Sequence, residues 1–285
     1  MGKIPESELI LNTDKSVYHL NLQPKDITET IITVGDPSRV YMVSKYFDDV
    51  EFEMNRREFI THRGTYNGKK VTVISTGMGT DNIEIFLNEL DALVNVDLRK
   101  REEKARKKKL NIIRIGTSGA LQEDIPLGSH LVSDYAVGLD TLMCFYQLPQ
   151  DDFEREIGEG IQKQIGLPFT PYVVRGSQTL KEQIGEGMLV GNTVTCPGFY
   201  APQGRQIRLE LKYPRLMEEL NYFHKGDFWL TNFEMETAGY YSLARLLDHE
   251  VLSVNAIIAN RIQNKFAKNA TEVVDELIKK VLDRI

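Results

Sequence analysis

Three observations predict an α/β sandwich built on a mixed sheet. Short β-branched runs alternate with longer stretches whose apolar residues recur at helical spacing. Two of the strand-like runs are joined by Asn67-Gly68, a hairpin signal that makes part of the sheet antiparallel. No Pro/Gly/Ser-rich linker and no internal repeat interrupts the 285 residues, so one domain spanning 1–285 is expected.

The elements follow in order. "ETIITVGD" (29–36) reads as a strand ending in a Gly-Asp-Pro turn, with a helix through "SRVYMVSKYF" after it. "FITHRGTYNGKKVTVISTG" holds the hairpin. "TDNIEIFLNELDAL" (80–93) places Ile83, Phe86, Leu87 and Leu90 on one helical face. "LNIIRIG" (110–116), "SHLVSDYAV" (129–137) and "VLSVNAIIA" (251–259) are apolar strands, and "METAGYYSLARLLDH" and "TEVVDELIKKVLDRI" are amphipathic helices.

Composition narrows the classes of function. A net charge of −6 argues against general affinity for nucleic acid or acidic membranes. The strongly basic stretch "RKREEKARKKK" (99–109) has no interleaved aromatics and is read as a solvated extension of the preceding helix. Two cysteines, Cys144 and Cys196, without metal-ligand spacing suit a reduced compartment and no metal site. Residues 1–30 have no apolar signal core, and Glu6 breaks the myristoylation pattern in "MGKIPE". No window approaches the roughly 18 apolar residues of a membrane span. A soluble, cytoplasmic protein is expected.

Several turns after strands carry groups suited to anions. "STGMGTDN" (75–82) lacks the third glycine of a dinucleotide fingerprint, but Gly77 and Gly79 permit close backbone approach ahead of a helix N-terminus. A plain tight turn would read the same. Arg39 follows Gly35 by four residues in "VGDPSRV", and Arg114 lies inside the apolar strand of "IRIGTSGA". A guanidinium there needs an anion, because it cannot shed its charge; a carboxylate of the protein would serve as well as a phosphate. In "GNTVTCPGFYAPQGRQIR" (191–208), Gln203 and Arg205 offer donors and an acceptor that suit the O2, N3 and O4 edge of a pyrimidine, with Phe199 against its face. "NFEMETAG" (232–239) sets Glu234 and Glu236 around Met235 where a strand meets a helix. Acids are favoured in a helix's first turn on electrostatic grounds alone, so the pair is open to a capping reading too.

Taken together, "GDPSRV", "REF" (57–59), "STGMG", "IRIGTSGA", "FY..QGR", "NFEMET" and "NR" (260–261) occur in the order found in nucleoside phosphorylases. The chain resembles that family, and within it the uridine phosphorylases, from "SVYHLNL" (16–22) to about residue 262. The resemblance implies a three-layer α/β/α sandwich around a mixed central sheet. It implies phosphate binding by Gly35, Arg39, Arg114 and Thr117, with Arg57 lent by a neighbouring subunit. It implies ribose binding by Glu234, Met235 and Glu236, and by His19 reaching across an interface. Phe199, Gln203, Arg205 and Arg261 would form the base pocket, with Ile258 lining it. Arg114, Arg205 and Glu236 would carry the catalysis.

Two departures from the family pattern stand out. Pro202 replaces the usual glycine before the pocket glutamine, which stiffens the loop. Asn82 replaces a serine at the positions, with Glu58 and Met78, where some relatives hold a monovalent cation, so the ion is left open and not assigned here. The implied reaction is uridine plus phosphate to uracil and ribose 1-phosphate. It needs no cofactor, and the enzyme would be a homo-oligomer, at least a dimer with shared sites. Rival readings are a purine or broad-specificity phosphorylase, a nucleosidase, and a non-catalytic nucleoside-binding protein. The purine enzymes carry an acid after the last core strand, where this chain has Ala259-Asn260-Arg261.

Overall fold

A computed structural model describes residues 2–285. The chain opens with β1 (Thr30–Val34), α1 (Ser38–Ser44), β2 (Asp49–Arg56), β3 (Phe59–Tyr66), β4 (Lys69–Ser75) and α2 (Thr80–Asn95). Two short strands follow, β5 (Val96–Asp97) and β6 (Glu102–Glu103), and then β7 (Asn111–Ala120), β8 (His130–Gly138), α3 (Asp152–Ile165), β9 (Tyr172–Arg175), α4 (Gln178–Ile184) and β10 (Leu189–Thr195). The last part holds α5 (Leu216–Tyr222), β11 (His224–Lys225), β12 (Phe228–Trp229), β13 (Asn232–Glu234), α6 (Thr237–Leu247), β14 (Glu250–Asn260), β15 (Lys265–Phe266) and α7 (Ala270–Leu282).

The central sheet is mixed, as the Asn-Gly hairpin predicts. β1 pairs in parallel with β4 and β7, while β3 pairs antiparallel with β4 and β2. Asn67 and Gly68, with φ of 48° and 74°, both adopt the left-handed conformation that such a tight hairpin turn requires. On the other side the sheet closes on itself: β7, β14, β8, β10 and β13 form a ring of neighbours that returns to β7.

Strict alternation sorts the buried strands between two apolar layers. Ile31 and Ile112 face α2 and α6, whereas Ile32 and Ile113 face α1 and α7. Arg114 and Thr33, which stand in register, therefore lie on the α2/α6 face. A third cluster, under α3 and α5, includes Ile157, Leu220 and Phe233. β7 runs to Ala120, beyond the expected end at residue 116, and α1 stops at Ser44, short of the expected run to Phe47.

Residues 99–109 do not extend α2. The helix ends at Asn95, whose side chain accepts from the Lys108 amide at 2.7 Å and donates to its carbonyl, and β5 and β6 form a small antiparallel pair. Arg101, in the turn between β5 and β6, has a left-handed backbone (φ 59°), is buried, and donates to the Leu9 carbonyl. A charge run read as wholly solvated thus hides one anchoring arginine.

Candidate active site

The sites foreseen after strands gather at the carboxyl ends of β1, β4, β7, β10, β13 and β14. Gly35 closes β1, and a side chain there would come within 3.2 Å of the Gly77 carbonyl, so the two turns pack backbone to backbone. Gly77 (φ 71°) and Gly79 (φ 95°) shape the turn that opens α2. Arg39 stands in the first turn of α1. Burial lowers its pKa and Asp36 opposes that, while Arg114 lowers it further. Thr117 is half-buried on β7 opposite Ala256 of β14.

The centre is a buried triad of Arg114, Glu234 and Glu236. Nη2 of Arg114 lies 2.9 Å from Oε2 of Glu234 and also pairs with Oε2 of Glu236. Nη1 donates to the Asn255 and Ser253 side chains at 3.1 and 3.3 Å. Gly116 makes this possible, since a Cβ there would collide with the guanidinium. Burial alone would lower the Arg114 pKa, but the two carboxylates more than reverse it. For Glu236, burial pushes the pKa up against the pull of Arg114, and Glu234 adds to the rise.

The two acids divide the roles weighed from sequence. Glu234 accepts from the backbone amides of Glu236 and Thr237 at 2.9 and 3.0 Å and from the Thr195 hydroxyl at 2.7 Å, so it does cap α6 while pairing with Arg114. Glu236 caps nothing in its own helix. Its carboxylate reaches instead across to the Gly79 amide at 2.9 Å. Met235 sits between them, half-buried.

A second cluster lies beside the triad. Arg205 stacks over the Phe199 ring at 3.7 Å and donates to the Phe199 carbonyl and to Oε1 of Gln203, at 2.6 and 2.5 Å. Desolvation, with help from Arg261, lowers its pKa to about 10. Arg261 donates to the Gln203 carbonyl at 3.1 Å. Pro202 lies in a short 3-10 turn, 201–203, that delivers Gln203 to a buried position. Ile258 is not brought into this cluster; it packs with the apolar residues on the α1/α7 side of the sheet.

Sequence reasoning missed four participants. Phe233 is buried with Arg205 and Arg261 at 5.8 and 5.6 Å from its ring, and Asn255, Ser253 and Thr195 brace the triad. The signal for two of them was present: Ser253 and Asn255 are polar residues two apart in an otherwise apolar strand, hence on one face.

His19 and Arg57 both border Tyr18, and neither pairs with a member of the triad. The Tyr18 ring sits 4.9 Å from the His19 ring and 5.7 Å from the Arg57 guanidinium. Nδ1 of His19 is 2.7 Å from Glu89, and Arg57 is exposed with a left-handed backbone (φ 53°). Glu58 and Asn82 flank Gly77, and Asn82 donates to the Met78 carbonyl at 3.3 Å.

The sequence model of the Phosphorylase superfamily matches residues 29–285. The chain belongs to the nucleoside phosphorylase family. As a pentosyltransferase of that family, it acts on a nucleoside and phosphate. The phosphorylase is 30% identical over 275 residues to a uridine phosphorylase of Thermococcus kodakarensis, covering 92% of this chain and 85% of that one. It is 25% identical over 273 residues to a DeoD-type purine nucleoside phosphorylase of an Exiguobacterium species, covering 93% and 96%. A solved nucleoside phosphorylase of Trypanosoma brucei, described as showing uridine phosphorylase activity, superposes with a TM-score of 0.87 at 28% identity, over 97% of this chain and all of that one. Among the described residues, no helix of this phosphorylase is long and apolar enough to cross a membrane.

Proposed function

We propose that this phosphorylase cleaves pyrimidine nucleosides, uridine foremost, giving uracil and ribose 1-phosphate in pyrimidine salvage. The observation that carries the choice of base is the Gln203–Arg205 cluster, together with the use made of Asn260. Asn260 donates to the Gln122 and Ile125 carbonyls and accepts from the Gln263 amide, so the position after the last core strand supplies no proton to a purine ring. With Oε1 of Gln203 held by Arg205, its amide nitrogen has no partner among the described residues and is left to donate to a base carbonyl.

In this reading Gly35, Arg39, Arg114 and Thr117 bind phosphate, whose oxygen attacks C1′. The C1′–N1 bond breaks with its electron pair going to the base. Arg205 and Gln203 stabilise that negative charge until solvent protonates it. Glu236 accepts hydrogen bonds from the ribose hydroxyls and opposes the positive charge developing on the ring. Phosphate is itself the nucleophile, so the reaction calls for no cofactor. Phosphate-dependent base release from uridine, thymidine, cytidine, inosine and adenosine tests the reading. Uridine turnover that ignores phosphate, or a preference for inosine, overturns it.

Arg205→Ala is expected to lower uridine kcat/KM by about 10- to 150-fold, the span for losing a hydrogen bond to a charged group. Part of that loss should appear in kcat, since the charge it meets develops in the transition state. Uridine kinetics equal to wild type would take Arg205 out of the base site.

That His19 and Arg57 gather at Tyr18 without pairing with the triad supports a homodimer in which each subunit lends these two residues to the other. Mixing Arg57→Ala with Glu236→Ala subunits should then regain activity, because one hybrid site is intact. Verified heterodimers with no activity would count against shared sites.

A further inference from the structure

One peptide unit of the turn before α2 is held at both ends. The Gly79 amide donates to Oε1 of Glu236 at 2.9 Å, and the carbonyl of the same unit, that of Met78, accepts from Nδ2 of Asn82 at 3.3 Å. A trans peptide is planar, with its C=O and N–H pointing opposite ways, so fixing the carbonyl fixes the direction of the amide. The flanks of the turn are anchored separately. The Thr76 amide donates to the Val34 carbonyl at 2.9 Å, and Thr80, the first residue of α2, is buried facing Gly239 of α6.

Between these anchors the backbone is free to turn. The unit rotates about ψ of Met78 and φ of Gly79, and at Gly79, with φ 95°, no Cβ resists either sign of φ. Asn82 supplies the missing restraint. Gly77 leaves room for it, since a Cβ there would come within 2.5 Å of the Asn82 side-chain nitrogen. Helix capping does not account for the contact. The first turn of a helix has spare N–H groups and needs acceptors, whereas Asn82 donates, and to a carbonyl that precedes the helix. What the amide does for Glu236 is geometric. Arg114 meets Oε2 and Gly79 meets Oε1, so each carboxylate oxygen has one donor from the protein and a further lone pair to offer.

We propose that Asn82 is a positioning residue of the catalytic centre: through the Met78–Gly79 peptide it aims the Gly79 amide at Glu236, and so holds the carboxylate with both oxygens turned to the ribose hydroxyls. The proposal rests on the assignment of Glu236 to the ribose. Asn82 acts only through that peptide and touches no reacting atom.

The test is a kinetic cycle on Asn82→Leu, Asn82→Ala, Glu236→Ala and the double variant that joins the last two. Leu keeps the branched shape of Asn without its donor. Both Leu and Ala are better helix formers than Asn, so melting temperatures should stay at the wild-type value or rise. Even so, kcat should fall about 2- to 12-fold in each Asn82 variant, the worth of one hydrogen bond between neutral groups. The KM for nucleoside and for phosphate should stay within about 2-fold of wild type, since a misaimed carboxylate fails chiefly as charge develops on the ribose. In the Glu236→Ala background, Asn82→Ala should cost nothing further in kcat, because the group it positions is gone. A merely structural role predicts kcat losses that follow the melting temperature and multiply with Glu236→Ala. Wild-type kcat in both Asn82 variants, or multiplying losses, overturns the proposal. Full activity in Glu236→Ala would instead overturn the ribose assignment beneath it.

Discussion

A Glu236→Gln enzyme is expected to lose about 10²- to 10³-fold in kcat while keeping its fold, the range seen when one preorganised electrostatic partner of a transition state is removed. The amide occupies the same volume, and Arg114 retains Glu234 at 2.9 Å, so the buried cation is not left alone. In the proposed reading, what disappears is the negative charge set against the ribose as it approaches an oxocarbenium ion. That charge matters more in the transition state than in the ground state, so KM for the nucleoside should change little. Glu234→Gln provides the contrast. Its carboxylate accepts two amides at the start of α6 and the Thr195 hydroxyl, so the loss should fall on stability, by about 0.5–2 kcal/mol for a weakened cap. Steady-state kinetics and chemical denaturation on the two variants separate the roles. A Glu236→Gln loss below about 10-fold would remove Glu236 from the reacting centre.

That division of labour marks how far the sequence could be read. The residues of "NFEMETAG" raised two readings for a pair of acids, and nothing in their spacing says which acid turns back to the helix and which crosses to Gly79. The direction is set by tertiary geometry: α2 must bring its first turn against α6, where Gly239 faces Thr80. Strand character was legible wherever both faces of a strand are buried, because the run is then mostly apolar, as in β1, β7 and β14. The closing of β7, β14, β8, β10 and β13 into a ring was not legible, since it depends on β13, only Asn232–Glu234, pairing with the far end of β7. Arg101 shows the opposite failure: composition marks residues 99–109 as a solvated face, and only the contact with Leu9 reveals one arginine turned inward. Phe233 went unseen because an aromatic beside Glu234 is ordinary core by pattern, and only the approach of Arg205 and Arg261 gives its ring a second use.

Arg114→Met should be the most disruptive single change in the molecule. It leaves Glu234 and Glu236, both buried, facing one another with no cation between them. Breaking a buried pair in this way costs about 3–5 kcal/mol. The loss should also depend on pH with a definite sign. Burial and Glu234 already raise the Glu236 pKa in the intact protein, where Arg114 opposes them. Without that opposition the folded-state pKa rises further above the unfolded value of about 4.3. A group raised in this sense stabilises the fold below the unfolded pKa and loses that contribution as pH climbs through the folded one. The deficit of the variant relative to wild type should therefore be smaller at about pH 5 than at about pH 7. Arg114→Lys should recover little of it. A single ammonium cannot reach Glu234, Glu236, Ser253 and Asn255 together, as the two guanidinium nitrogens do. Denaturant midpoints of the three proteins at both pH values decide the matter, and a deficit that is the same at each would show that Arg114 does not govern the ionisation of Glu236.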